Sequence, residues 1–391
     1  MNVSERKSVR AGRLVRQPTG YRAFIPESLP PDPPVDLDGP LRERLSEADH
    51  ALRRLDGAAF ILPNPDQFVH VYVRKEAVLS SQIEGVQCSL QDLLAAEARL
   101  HDPETPTGAG EVINYVNALN HGLSRLGDLP VSVRLIRETH AVLMEGVRGG
   151  SAAPGELRQR QNWIGAPGST LSEATFVPPP AHEVPGALGE LERFLHAENE
   201  LPPLVQIGLA HPQFEIIHPF LDGNGRVGRL LITFLLIEKG VLSLPVLYLS
   251  SHFMQRRAEY YYRLQAVQED GDWEGWLDFF LRGVTQVSRE AVHTAAAILQ
   301  MREGYRLRIT EQLGRAAGNG YRIMDRLFEH PIIEVATVRD WLDVTASGAN
   351  QLVGRLEDLG LLREITGYAR NRRFRFDPYL RIFEEDVGAD G

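Results

Sequence analysis

The sequence predicts a mainly α-helical protein. A helical core carries a small β-hairpin, an extended and helical N-terminal region precedes it, and a small winged helix-turn-helix follows. Three observations predict this. Apolar residues recur at three- and four-residue spacing through most of residues 40–301. Strand-like segments are short and confined to about 162–177 and 361–376. Pro26, Pro30, Pro31, Pro33 and Pro34 cluster where no long helix can form. The expected divisions are 1–110 for the arm and its helices, 111–302 for the core and 303–391 for the tail.

Residues 1–40 read as an arm strapped to a neighbouring surface. Leu41, Leu45, Ala48, Leu52 and Leu55 share one face of a helix beginning at Pro40. Asp66, after Asn64-Pro65, is expected to cap a helix over 67–84 that Gly85 stops. Ser89 opens the next helix, and 101–110 is a Pro/Gly/Thr loop. Residues 111–126 and 132–145 are amphipathic helices. A long loop spans 148–180, and within it 162–165 and 174–177 are expected to pair as a hairpin. Helices resume at 187–197, 204–217, 226–239, 252–267 and 273–301. In the tail, helices at 337–342 and 350–359 and strands at 361–365 and 372–376 give the order of a winged helix-turn-helix.

The chain has 391 residues, of which 43% are hydrophobic, which excludes a disordered chain and a disulfide-stapled miniprotein. The charge, 42 − 52 = −10, argues against coating nucleic acid or anionic membrane as a whole but permits a local basic site. Cys88 is the single cysteine, which fits a reducing compartment and a cytoplasmic location. The basic N-terminus lacks an apolar stretch behind it, so it does not read as a secretory signal. The most apolar run, 230–247, is interrupted by Glu238-Lys239-Gly240 and is too short to span a bilayer, so no membrane partner is expected.

The chemistry concentrates between His218 and Arg229. Gly223-Asn224-Gly225 sits just before an apolar helix, where a flexible backbone and unsatisfied N–H groups form an anion site. Arg226 and Arg229 lie in the first turn of that helix, where cations oppose the macrodipole. A multiply charged anion resolves that conflict, and the planar guanidinium suits phosphate. Asp222 beside phosphates calls for a bridging divalent metal, and Mg²⁺ takes one or two carboxylates plus phosphates. His218, where the preceding helix must end before Pro219, suits removal of a hydroxyl proton. Each feature alone has a bland explanation as cap, core or turn; the set within twelve residues does not.

At these residues the sequence resembles the Fic family (filamentation induced by cAMP), whose motif H-P-F-x-[D/E]-G-N-[G/K]-R-x-x-R is met at every position. The resemblance spans roughly 20–300 and includes Pro154 to Arg158 and Pro178-Pro179-Pro180 around the hairpin. It implies transfer of AMP from ATP to a Ser, Thr or Tyr hydroxyl of a target protein. It also implies that His218 is the general base and that Asp222 holds Mg²⁺. Gly223, Asn224 and Gly225 would form the anion hole, with Arg226 and Arg229 on the phosphates. Phosphorylating relatives tend to carry Lys where Gly225 stands. The hairpin resembles a flap that clamps a target segment by strand addition. Tyr260, Tyr261 and Gln268 lie where relatives contact the nucleoside, although Asn is frequent at the position of Gln268 and tyrosines so spaced are equally ordinary core.

A second signal is Ser80-Ser81-Gln82-Ile83-Glu84-Gly85. Ser80 and Glu84 share a helix face, and Glu84 sits unfavourably at the negative end of the dipole. An exposed glutamate is an equal reading on physics alone. The pattern, however, resembles the inhibitory [S/T]-x-x-x-E-[G/N] motif of Fic proteins. That resemblance implies a Glu84–Arg229 salt bridge that misplaces ATP, with Ser80 fixing the inhibitory helix.

The tail could bind DNA, dimerise or rest on the core. Its second helix has Arg355 against Glu357 and Asp358, poor for entering a groove, whereas Arg363, Arg370, Arg372, Arg373 and Arg375 make the wing basic. The alternatives to a self-inhibited adenylyltransferase are a Fic fold that removes AMP or transfers another phosphate group, and a nucleotide-sensing DNA-binding regulator. A homodimer is implied by family resemblance only.

Overall fold

The structure, a computed structural model, describes residues 10–18, 20–61, 64–98, 108–146, 153–166, 168–198, 200–368 and 371–385. Part of the expected 101–110 loop lies outside them. The N-terminal arm is a β-hairpin, β1 (Gly12–Arg16) and β2 (Arg22–Pro26), where the sequence suggested only extended chain. It is strapped to the core as expected: Gln213 donates to the Glu27 carbonyl (2.8 Å), and Arg10 pairs with Glu274 (2.8 Å).

Helix α1 (Pro40–Ile61) lies along a 41-residue helix near the chain's centre, described below. Helix α2 (Pro65–Ile83) starts two residues earlier than expected. Asn64 is its N-cap and Pro65 takes the first turn, where a missing N–H costs nothing, so Asp66 is not the cap. Ser89 caps α3 (Leu90–Glu97) through a capping box with Asp92. Helices α4 (Ala109–Arg125) and α5 (Val133–Leu143) follow as a packed pair. The expected hairpin at 162–177 reduces to a single antiparallel bridge, Ile164 to Phe176.

Helices α6 (Val184–His196), α7 (Pro203–Ile217) and α8 (Asn224–Glu238) complete the centre. α7 is buried on every side from Leu204 to Ile217. Pro212 inside it cannot donate to the Gly208 carbonyl one turn back; the Trp276 indole N–H donates there instead (2.7 Å). The expected helix over 252–267 is split at Arg256 into α9 (Ser250–Gln255) and α10 (Arg257–Asp270). Helix α11 (Trp273–Leu313) runs about 60 Å. It passes unbroken through 302/303, Gly304 included, so no linker separates core from tail.

The tail contains α12 (Ala317–Leu327), β3 (Ile332–Glu334), α13 (Val335–Leu342), α14 (Ala346–Asp358), β4 (Arg363–Glu364), β5 (Arg373–Arg375) and α15 (Asp377–Glu385). The antiparallel order β3-β5-β4 with α13 and α14 matches the element order expected of a winged helix-turn-helix; α15 was not foreseen. Three of the wing's arginines pair with acids of the tail, and Arg372 lies over the Phe374 ring. Arg363 (2.9 Å) and Arg375 (3.3 Å) converge on Asp377, and Arg373 lies 3.9 Å from Glu334. Arg370 lies outside the described residues. No described helix is long and apolar enough to cross a membrane.

Candidate active site

α7 ends at His218, which adopts a left-handed conformation (φ 48°, ψ 60°) rare for a residue with a side chain. The strain is held by neighbours. Buried Arg158 donates to the His218 carbonyl (2.8 Å) and to the Pro179 and Ile217 carbonyls, satisfying the end of α7. Burial lowers the Arg158 pKa to about 10, which leaves it a cation.

The following loop is clamped twice. Asn224 accepts from the Phe220 N–H (2.8 Å) and donates to the Phe220 carbonyl (2.9 Å). His140 stacks on Phe220, ring centroids 3.7 Å apart and 4° from parallel. The Gly155 N–H donates to His140 Nδ1 (2.9 Å), so the ring proton is on Nε2, which donates to the Asp222 carbonyl (3.1 Å). Burial pushes the His140 pKa down to about 4, which keeps this neutral tautomer. Gly223 (φ 76°) turns the chain into α8, and a Cβ there would lie 2.9 Å from Met144 Sδ. The Val227 N–H is the first to bond back along α8, to Gly223 (3.0 Å). The amides of 224–226 therefore precede the ladder and form the helix's donor end.

His218 is half-buried at the mouth of this loop. Its Nδ1 lies 3.3 Å from the Glu215 carbonyl. With the proton on Nδ1 donated there, Nε2 carries the lone pair that a base needs. Burial, and then the Arg158 charge, pushes the His218 pKa down to about 4, so the ring is neutral near pH 7. The Asp222 carboxylate is exposed; Oδ1 accepts from the Gly223 N–H (2.6 Å) and lies 3.9 Å from Arg226. An open carboxylate next to a donor-rich helix end fits an ion that draws its other ligands from phosphates. No group of three or more His, Cys, Asp or Glu side chains able to hold a metal occurs among the described residues.

Both arginines are buried and engaged. Arg226 reaches Glu111 (3.2 Å). Arg229 donates through Nε to Ser80 Oγ (2.8 Å), and through one terminal nitrogen to the Ser80 carbonyl (2.9 Å) and Glu84 Oε1 (2.8 Å). Glu84 is the C-cap of α2. A Cβ built on Gly225 would come 2.3 Å from Glu84 Oε1, so this carboxylate rests against the first turn of α8. It therefore occupies the position an anion would take. Burial would raise the Glu84 pKa, but the Arg229 guanidinium outweighs it and holds the carboxyl below its usual range.

Ser80, Glu84 and Glu76 share one face of α2. Glu76 accepts from Tyr115 (3.0 Å) and from the Ser250 hydroxyl, and burial raises its pKa to about 7. Under α8 lies Glu215, raised to about 8 by burial against the opposing Arg229 charge. Sequence reasoning missed Glu76, Tyr115, His140 and Glu215, and saw Arg158 only within a motif. For Glu215 the available signal was a lone charge within the apolar run 214–217.

The three nucleoside candidates separate. Tyr260 is 1% exposed, hydrogen-bonds His211 (2.9 Å) and packs among Phe253 and Trp276, the arrangement of a core residue. Tyr261 is 42% exposed, with the Arg257 guanidinium over its ring (5.3 Å). Gln268, half-buried, is two turns along the same face of α10. The flap joins this site through Asn162, which donates to the Phe220 carbonyl (2.8 Å).

The Fic/DOC family profile matches residues 130–236, and the Fic/DOC N-terminal profile matches 42–124. A probable protein adenylyltransferase of Aquifex aeolicus is 29% identical over 184 residues, covering 46% of this chain and 52% of that protein. The protein adenylyltransferase Fic of Drosophila grimshawi is 28% identical over 232 residues, covering 58% of this chain and 41% of that one. The chain thus spans about half the length of these curated relatives or less. A Fic family protein from Desulfovibrio desulfuricans superposes with a TM-score of 0.58 at 20% identity, over 88% of this chain and 97% of that one. A Fic domain-containing signaling protein from Bacteroides thetaiotaomicron gives 0.51 at 17%, over 63% and 97%. These two likenesses concern the fold.

Proposed function

We propose, from the premise that this chain carries a Fic domain, that it is a protein adenylyltransferase held inactive by its own Glu84. The observation that carries the reading is the placement of the Glu84 carboxylate on Arg229 and against Gly225, at the donor end of α8 behind His218. An anion site filled by the chain's own carboxylate, beside a neutral histidine, is what a self-inhibited phosphate-group transferase requires.

In the proposed reaction the hydroxyl of a target Ser, Thr or Tyr gives its proton to His218 Nε2. Its oxygen bonds to the α-phosphorus of ATP, the bond from that phosphorus to the bridging oxygen breaks, and pyrophosphate leaves. The 224–226 amides and Arg226 steady the phosphate oxygens, and Arg229, once Glu84 withdraws, receives the terminal phosphate. Asp222 would hold Mg²⁺, which supplies charge neutralisation on the phosphates when bound. The Asn224 side chain and His140 keep the loop in shape. In this reading Tyr261 and Gln268 take the nucleoside, and Tyr260 supports them from the core. The flap at 162–177 positions the target segment.

DNA is left out of this function because Arg363, Arg375 and Arg373 already face Asp377 and Glu334. The test is the mass of proteins in a cytosolic lysate treated with ATP and the Glu84→Gly chain. A target gaining one AMP supports the reading. A gain of phosphate alone, or loss of AMP from a modified protein, replaces it with another Fic-fold reaction.

A further inference from the structure

We infer that the C-terminal tail is a second lock on the inhibitory helix: it grips the first half of α2 and thereby holds Glu84 on Arg229. The inference rests on the reading of Glu84 as a brake and adds what governs it. α2 is one uninterrupted helix whose two ends have different neighbours. Its last turns carry Ser80 and Glu84 to Arg229, and the Arg257 guanidinium donates to the Ile83 carbonyl (3.2 Å). Its first turns meet the tail. Phe383 of α15 is buried edge-on against Tyr72 (centroids 5.5 Å, 74°), with Lys75 Nζ over its other side (5.9 Å). The His70 ring meets the His330 ring edge-on (centroids 6.5 Å). Arg375 of β5 donates to Gln91 of α3 (3.1 Å), and α3 is tied to α2 through Glu97 and Arg74.

From His70 to Glu84 is fourteen residues, about 20 Å of stiff helix, so a shift of the first turns moves the last. The tail is anchored independently, because α11 continues from the core into it and packs against α12 and α15. A rearrangement of the tail against α2 therefore acts on the anion site without touching it.

The test uses the full chain. His70→Ala removes the ring that meets His330 while keeping a good helix former in α2. Phe383→Ala removes the apolar grip. Amide hydrogen exchange over 76–86 without ATP is read first, as it needs no target. Both variants are expected to speed exchange there at least a few-fold. Both are also expected to raise transfer of label from α-labelled ATP to lysate protein, with no further gain in a Glu84→Gly background. If exchange over 76–86 is unchanged in folded His70→Ala, while Glu84→Gly still raises transfer, the tail is not a lock. If Phe383→Ala does not fold, the His70→Ala result decides. If Glu84→Gly itself raises nothing, the brake reading fails instead, whatever the tail does.

Discussion

Arg229 has one guanidinium and two suitors, a carboxylate of its own chain and the phosphates of a nucleotide. Its burial makes the competition sharp, because a buried charge stripped of a partner costs several kcal/mol. Glu84 is thus both a structural counter-ion and an obstacle. His218 has the opposite character: its environment keeps it uncharged. Its pKa lies near 4 rather than 6.5, so the neutral base persists below ordinary pH. In the Glu84→Gly chain the acid limb of the kcat/KM profile for AMP transfer should fall well below pH 6.5. An acid limb at or above that value would show that His218 is not the base, or that its surroundings differ from those described. The clustering of His218, Asp222, Arg226 and Arg229 about one loop was legible in the sequence because their spacing is local. The surroundings of Arg229 were legible in part, through the Ser80 to Glu84 pattern. Its neighbours Tyr115 and Glu215 were not, since burial and long-range partnership leave no periodic trace.

Helix α7 and the segment after α5 show how an element delivers a side chain. α7 ends where it does because Pro219 stops it and Arg158 ties up its last carbonyls. Replacing that guanidinium by a shape-similar apolar chain leaves buried acceptors bare, each worth about 1–3 kcal/mol. Arg158→Met should therefore lower the urea midpoint by an amount equivalent to about 2–4 kcal/mol and reduce AMP transfer in the Glu84→Gly background. A chain as stable as the parent would remove Arg158 from the support of His218. Helix boundaries were legible where caps and glycines punctuate them, as at Ser89. They were misread where proline at a first turn displaced the cap by two residues, at Asn64, and where the helix ran on through Gly304, from Met301 to Leu313. The arm's hairpin escaped notice because the prolines of 26–34, the first of which ends β2, drew attention away from 12–25.

At the scale of the molecule, buried acids accompany the central helices. Glu76 and Glu215 are raised to about 7 and about 8 from 4.5 by burial. Each is protonated in the fold and ionised in the unfolded chain above 4.5, so its contribution is complete below 4.5 and lost as pH rises through 7 to 8. Glu215→Gln, which cannot ionise, should stabilise the chain at about pH 8 by on the order of a few kcal/mol and change little at about pH 5. Equal effects at both would place the Glu215 carboxyl in contact with water. The three-part organisation expected from the sequence becomes, in the structure, a core and tail joined by one helix and pressed on either end of α2. Only the tertiary packing of His70, Tyr72 and Phe383 reveals that joint.

The central claim is a transferase whose base is His218 and whose restraint is Glu84. Its most direct test is label passed from α-labelled ATP to lysate protein by three full-length chains in parallel. The parent should transfer little, Glu84→Gly much more, and Glu84→Gly with His218→Ala none. Equal transfer by parent and Glu84→Gly, or full transfer by the double variant, would contradict it.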